Sequence, residues 1–333
     1  MHKRVHARNL VAWAESRPEV LVLSGDLTSS CEIDTFRDSY PERFFSMGLT
    51  EQNTMSFCAG LAREGFVPMM HTFAVFMYRR ALDQIEMSIC YPNLRVRMFG
   101  FLPGVTTPGG ATHQATNDVG VFRTLPNLTV LETGDATDVE SVLDLSEQID
   151  GPVYIRMIRG EIPRLFPTSE PMRLDTPRVL SEGTDITLFT TGICTEEALR
   201  AGMLLKSKGV SLEHVHVSTL KPFDSPQITA SAAKAAHGVV TMENHSTIGG
   251  LGSAVAERMA EAGLSRPLTR IGLGDRYLHG SSKRYLMAEY GIDAYGLVRR
   301  LEEVLGEPLG ITAEEVAASP VKTYVSEGQL EAL

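Results

Sequence analysis

Short apolar, β-branched runs alternate with helix-length segments through most of this chain, and that alternation admits few folds. The runs are Val20–Leu23, Phe44–Met47, Val67–His71, Leu94–Gly100, Leu128–Leu131 and Val153–Met157. Helical patterns span 51–64, 76–90, 114–123 and 135–148 between them. Runs that are apolar throughout, not at every second position, suit strands buried on both faces. Strands separated by helices pair in parallel, so the expectation is an α/β fold with a mainly parallel sheet between helical layers. Pro163, Pro167, Pro171 and Pro177 interrupt the pattern over Arg159–Pro177. A second block then begins, with strands expected at Ile186–Thr190, Leu212–Val217 and Val239–Glu243, and helices over 195–208, 225–236, 250–263 and 295–305. The 333 residues suffice for two consecutive domains. They are expected at 1–165 and 181–333, joined by a linker at 166–180.

Charge narrows the partners. A formal net charge of −10 disfavours nonspecific contact with nucleic acid or anionic membranes. No apolar run approaches the roughly 20 residues of a spanning helix, and the N-terminus lacks the apolar core of a secretion signal. Cys31, Cys58, Cys90 and Cys194 are too dispersed for a metal or redox pair and suit the reduced thiols of a cytoplasmic protein. His214 and His216 can share a strand face, but a third metal ligand is missing from the pattern.

Ligands of open parallel sheets sit beyond the carboxyl ends of the strands. Four segments qualify: Gly25–Ser30, Gly48–Asn53, His71–Arg80 and Gly100–Gln114. In the second, Thr50 is placed to cap a helix starting at Glu51. A carboxylate there is favoured by the helix dipole, and it is equally placed to meet a buried heterocycle. In the third, Phe73 and Phe76 suit either core packing or an apolar wall for a ring. The fourth is a Gly- and Pro-rich loop that lets backbone approach a ligand, and it carries His113, a residue type that exchanges protons near neutral pH. Arg159, at the end of the Val153–Met157 run, can grip an anion or form a surface ion pair. The stretch Glu243–Gly252 is a strand, glycine loop and helix whose spacing fits neither a P-loop nor a dinucleotide fingerprint. Close strand-to-helix packing is the reading it favours.

Taken in order, these segments resemble transketolase over almost the whole chain. The resemblance rests on Ser24-Gly25-Asp26-Leu27, Pro41-Glu42-Arg43-Phe44, Gly48-Leu49-Thr50-Glu51-Gln52-Asn53 and Thr72-Phe73-Ala74-Val75-Phe76. It continues through Asp83-Gln84-Ile85, Thr112-His113-Gln114, Ile155-Arg156 with Arg159, and Glu243-Asn244-His245. It implies a pyrimidine-binding domain for thiamine diphosphate, followed by a transketolase C-terminal domain. Glu51 then matches the glutamate that contacts the aminopyrimidine ring and promotes its reactive tautomer. Phe73 and Phe76 match the wall around that ring, and Asp26 an acidic cofactor-pocket residue. His113 matches a substrate-side histidine that handles hydroxyl protons. Arg4, Ser30 and Arg159 match groups for the anionic end of the substrate, and His71 is a further substrate-side candidate. The implied reaction moves a two-carbon ketol unit from a ketose to an aldehyde.

The family's Gly-Asp-Gly motif, which holds Mg2+ or Ca2+ and the diphosphate, is not found here: Gly25-Asp26, Gly134-Asp135 and Gly274-Asp275 do not continue to a glycine. The expectation is an N-terminal partner subunit carrying that site, in a two-plus-two heterotetramer. Two departures concern the substrate. Pro108-Gly109 stands where many transketolases have an acidic pair, and Phe101 where they have a phosphate-binding histidine. Both put the usual sugar-phosphate contacts in doubt and admit a branched, deoxy or sulfonated sugar. The β subunit of a 2-oxoacid dehydrogenase is the main alternative, although Thr112-His113-Gln114 and Glu243-Asn244-His245 fit it less well. Deoxyxylulose-phosphate synthase normally keeps all its domains in one chain. A noncatalytic scaffold is opposed by the retention of Glu51, Phe73, Phe76 and His113.

Overall fold

In the computed structural model, which describes residues 1–324, the first block forms a seven-stranded sheet. Its order is Thr219–Lys221, Thr129–Glu132, Val153–Met157, Arg97–Phe101, Val67–Phe73, Val20–Ser24 and Phe44–Ser46. The six strands from the first block are parallel. Every residue of Val20–Ser24, Arg97–Phe101 and Val153–Met157 is buried, which is why these runs lack polar alternation. One face packs against Leu10, Ala14, Val139 and Leu143 of the helices Val5–Ala14 and Ala136–Glu147. The other packs against Met55, Cys58, Ala74 and Met77 of the helices Glu51–Arg63 and Ala74–Asp83. The long helix expected over 76–90 is interrupted. Ala81 leaves helical geometry, and a π-helical stretch follows at Gln84–Cys90.

The second sheet has the order Leu268–Leu273, Gly238–Ser246, Ile186–Thr190, Leu212–His216 and Arg178–Ser181, antiparallel only at the last. The segment expected as a linker therefore ends in an edge strand. It is also well anchored. Asp135 caps the helix after it and accepts the Leu165 and Phe166 N–H groups at 2.8 and 2.9 Å. Buried Arg164 pairs with Glu140, and Arg178 with Asp138.

The second domain also completes the first. Its strand Thr219–Lys221 joins the first sheet antiparallel to Thr129–Glu132. Arg156, fully buried, bonds Asp118 (2.8 Å), Glu132 (2.6 Å) and the Asn244 carbonyl (3.1 Å) across the boundary. The Asn244 side chain returns two bonds, accepting from Val105 N and donating to Pro103 O. A Cβ on Gly104, whose φ is +55°, would fall 2.1 Å from Asn244 Oδ1, so the docking needs glycine there. The stretch Glu243–Gly252 is thus a packing device, as its spacing suggests. Glu243 accepts the Leu251 and Gly252 N–H groups at 2.7 and 2.8 Å, capping the next helix. His214 and His216 do share one side of their strand. Thr190 and Thr195 hydroxyls bridge them, and His216 continues to Asp138 at 3.3 Å. No described helix is long and apolar enough to cross a membrane.

Candidate active site

The site lies beyond the carboxyl ends of the first sheet and starts with a turn. After Phe44–Ser46 the chain reverses at Gly48, where φ is +69°. The Thr50 hydroxyl bonds back to the Met47 carbonyl at 2.7 Å instead of capping the following helix. Glu51 opens that helix with only 2% of its surface exposed. Arg80 Nη1 donates to Glu51 Oε1 at 2.7 Å, while the Arg80 guanidinium lies 4.0 Å over the Phe76 ring. Phe73 and Phe76 run nearly parallel, with centroids 5.9 Å apart and planes 18° apart. His113 meets Phe76 edge-on at 5.4 Å. Glu51, Phe73, Phe76 and His113, separate in sequence, therefore line one surface.

Arg80 was not among the expected residues. Its signal was its position four residues after Phe76, which puts both on one helical face. The adjacent Arg79 holds the His113 loop by donating to the Ala111 carbonyl at 2.8 Å. Buried Gln114 ties the same loop to the second domain through the His279 carbonyl at 3.3 Å. At Gly109 a Cβ would lie 2.7 Å from His113 Cβ. Gly109, one of the two positions where the resemblance leads one to expect an acidic pair, thus leaves His113 the room it occupies.

A second corner gathers the expected anion-binding groups. Arg4 N donates to the Gly160 carbonyl at 3.2 Å, next to exposed Arg159. Partly exposed Ser30 precedes Cys31 and Glu32, and Arg159 acts electrostatically on both. Asp26 is exposed and adopts φ +68° at the strand end, a backbone state that aspartate tolerates better than most residues.

His71 does not join this surface, which corrects the expectation that it faces the substrate. Its ring is fully buried, stacks on Phe99 at 4.5 Å and meets His6 Nε2 at 3.1 Å. Its Nδ1 faces the Met69 carbonyl at 3.0 Å, which assigns the proton to that nitrogen. Burial, reinforced by His6, keeps His71 neutral, and burial lowers His6 to about 3. Phe101 packs against the same pair, 5.5 Å from His6. The apolar residue at that position belongs to an apolar, uncharged cluster.

The arrangement suits a flat, uncharged heterocycle. It offers a buried carboxylate for a ring nitrogen, stacked aromatic edges and a histidine at the mouth. The second carboxylate oxygen of Glu51 has no side-chain donor among the described residues, so it has capacity for a ligand. Among the described residues, no group of three or more His, Cys, Asp or Glu side chains is placed to hold a metal ion.

Comparison with known proteins agrees with the two-domain fold. Residues 3–164 match the family described as Transketolase, pyrimidine binding domain, and residues 176–297 the Transketolase, C-terminal domain. The chain is 38% identical to a transketolase family protein of Sinorhizobium fredii, over 90% of this chain and 87% of that one. It is 36% identical to the 6-deoxy-6-sulfo-D-fructose transketolase subunit of a Clostridium species, over 89% and 91%. Among solved structures it is similar to a split gene transketolase described as an inactive beta4 tetramer, with 37% identity, a TM-score of 0.83 and coverage of 91% and 97%. These matches do not favour the 2-oxoacid dehydrogenase reading. With its two domains in this order, the chain belongs to the transketolase family, and it is similar to the split-type members of that family.

Proposed function

We propose that this chain is the pyrimidine-side subunit of a two-subunit transketolase that moves a two-carbon ketol unit from an anionic ketose to an aldehyde. The observation that carries this reading is the buried Glu51 carboxylate, joined through Arg80 to the face of Phe76 in the Phe73–Phe76 wall, with His113 edge-on to Phe76. Glu51 would bond a pyrimidine ring nitrogen, with Arg80 holding the carboxyl group in place. Phe73 and Phe76 would flank the ring and exclude water from it. Asp26 would face the cofactor pocket from the neighbouring strand end. When bound, thiamine diphosphate supplies the electron sink for breaking the bond beside a ketose carbonyl. His113 would exchange a proton with a substrate hydroxyl, its imidazole steered by the Thr112 hydroxyl at 2.8 Å. Arg4, Ser30 and Arg159 would hold the far, charged end of the sugar.

The diphosphate and its Mg2+ or Ca2+ would be held by an N-terminal partner subunit. The similar split gene transketolase is described as an inactive beta4 tetramer, which supports assigning the diphosphate site to a second kind of subunit. The sulfosugar relative keeps sulfonated ketoses among the candidate donors.

The test is reconstitution. This chain, mixed with a transketolase N-terminal subunit, thiamine diphosphate and Mg2+, should transfer ketol units from a panel of ketose phosphates and sulfonates to aldehydes. It should not decarboxylate pyruvate. Pyruvate decarboxylation without ketol transfer would reverse the reading.

A further inference from the structure

The corner formed by Arg4, Ser30 and Arg159 looks basic in sequence, yet in the fold carboxylates stand among its cations. Arg4 forms an ion pair with Asp34 through Nη2. Lys3, beside it, pairs with Glu161. Arg159 sits beside Glu32, whose carboxylate accepts the Gly160 N–H at 2.8 Å. Glu32 is itself 3% exposed and held at φ +56°, so the turn that presents Ser30 also fixes an acid beneath the site. Burial raises the Glu32 carboxyl above its ordinary range, while the Gly160 N–H, Arg4 and Arg159 all favour its charged form. Arg8, one turn along the helix, is the remaining cation nearby, with its guanidinium on the Lys3 carbonyl. Beside this corner lies the neutral wall of Phe101, His6 and His71.

Building on the reading proposed above, we infer that the substrate end held here carries one negative charge, as a sulfonate does, and not the two of a phosphate monoester at neutral pH. A doubly charged group must approach Glu32 and Asp34 as well as the arginines. Like charges a few ångströms apart repel strongly at low local dielectric. A single charge keeps the bidentate contact to guanidinium with half of that repulsion. Arg159, which makes no ion pair of its own among the described residues, supplies the cation for one negative charge, whereas Arg4 is already engaged by Asp34 and has less to offer a second.

Calorimetry on this chain assembled with its N-terminal subunit tests the inference, with 2,3-dihydroxypropane-1-sulfonate, glycerol 3-phosphate and glycerol as probes. At pH 8 the sulfonate should bind about 10-fold tighter than the phosphate, and glycerol weakest. The second pKa of a phosphate monoester is about 6. At pH 5.5 the gap between the two anions should therefore close, and the sulfonate reports any titration of the protein itself. E32Q and D34N should each narrow the gap at pH 8 by favouring the phosphate. E32Q keeps an acceptor for the Gly160 N–H, which protects the turn. Phosphate binding as tight as sulfonate at pH 8, glycerol binding equal to either anion, or no measurable sulfonate binding would each overturn the inference. Ketol transfer by the same complex separates the two readings. Transfer with a preference for dianionic donors removes the charge inference alone, whereas sulfonate-selective binding without any transfer removes the proposed activity alone.

Discussion

Two arginine–carboxylate pairs in the first domain have similar chemistry and opposite surroundings. Arg156 is sealed between the domains, and its partners are filled as well. Asp118 also receives the Tyr154 hydroxyl at 2.6 Å, and Glu132 the Thr191 hydroxyl at 3.0 Å. Arg80 and Glu51 are asymmetric: the arginine side chain is 42% exposed and the carboxylate 2%. Saturated bonding with no open face marks a hub that holds structure. A buried carboxylate with one exposed partner and spare acceptor capacity marks a place for a ligand.

The sharpest contrast comes from breaking each pair. R156M leaves Asp118 and Glu132 buried with their main cation gone, and should cost about 3–5 kcal/mol of stability in a denaturant titration. If R156M unfolds at the same denaturant concentration as the parent chain, the hub is not what binds the domains. H113N, at the open site, should lower kcat of the reconstituted enzyme by about 100-fold while leaving its unfolding midpoint within error. A loss confined to KM would instead assign His113 to binding. N244A removes two side-chain bonds across the boundary and should cost about 1–3 kcal/mol, a smaller version of the Arg156 effect.

Glu243 gives the comparison a pH axis. Burial outweighs its two backbone N–H donors and raises it to about 8. A carboxyl with a raised folded pKa binds protons more tightly in the native state. Stability should therefore fall as pH rises from about 4.5 towards 8 and level off above that. E243Q, followed by urea titrations across that range, should flatten the slope. An unchanged slope would assign it to other groups. A smaller stability effect than at the domain boundary should come from R80Q. The Arg80 side chain is 42% exposed and glutamine can still donate to Glu51, so the change should stay within about 1 kcal/mol.

Most strands were legible because they are short, largely apolar runs, and the candidate site because its residues follow strand ends at recognisable spacing. What escaped the sequence depends on contacts made at long range. The edge strand Leu268–Leu273 mixes buried and partly exposed residues and gives no continuous run. Thr219–Lys221 is too short to announce that it joins the other domain's sheet. His71 sits where a strand should present a ligand-facing residue, but His6, arriving from the first helix, closes over it. Arg80 stood in plain view in the sequence. Its role depended on the helix start bringing it against Glu51, 29 positions away.

The central claim is that Glu51 is a working carboxylate and not a helix-capping one. The direct measurement is turnover of the reconstituted two-subunit enzyme carrying E51Q, with assembly checked by sedimentation. The account predicts intact assembly and unchanged thermal stability, with ketol transfer reduced at least about 100-fold. Full activity in a properly assembled E51Q enzyme would contradict it.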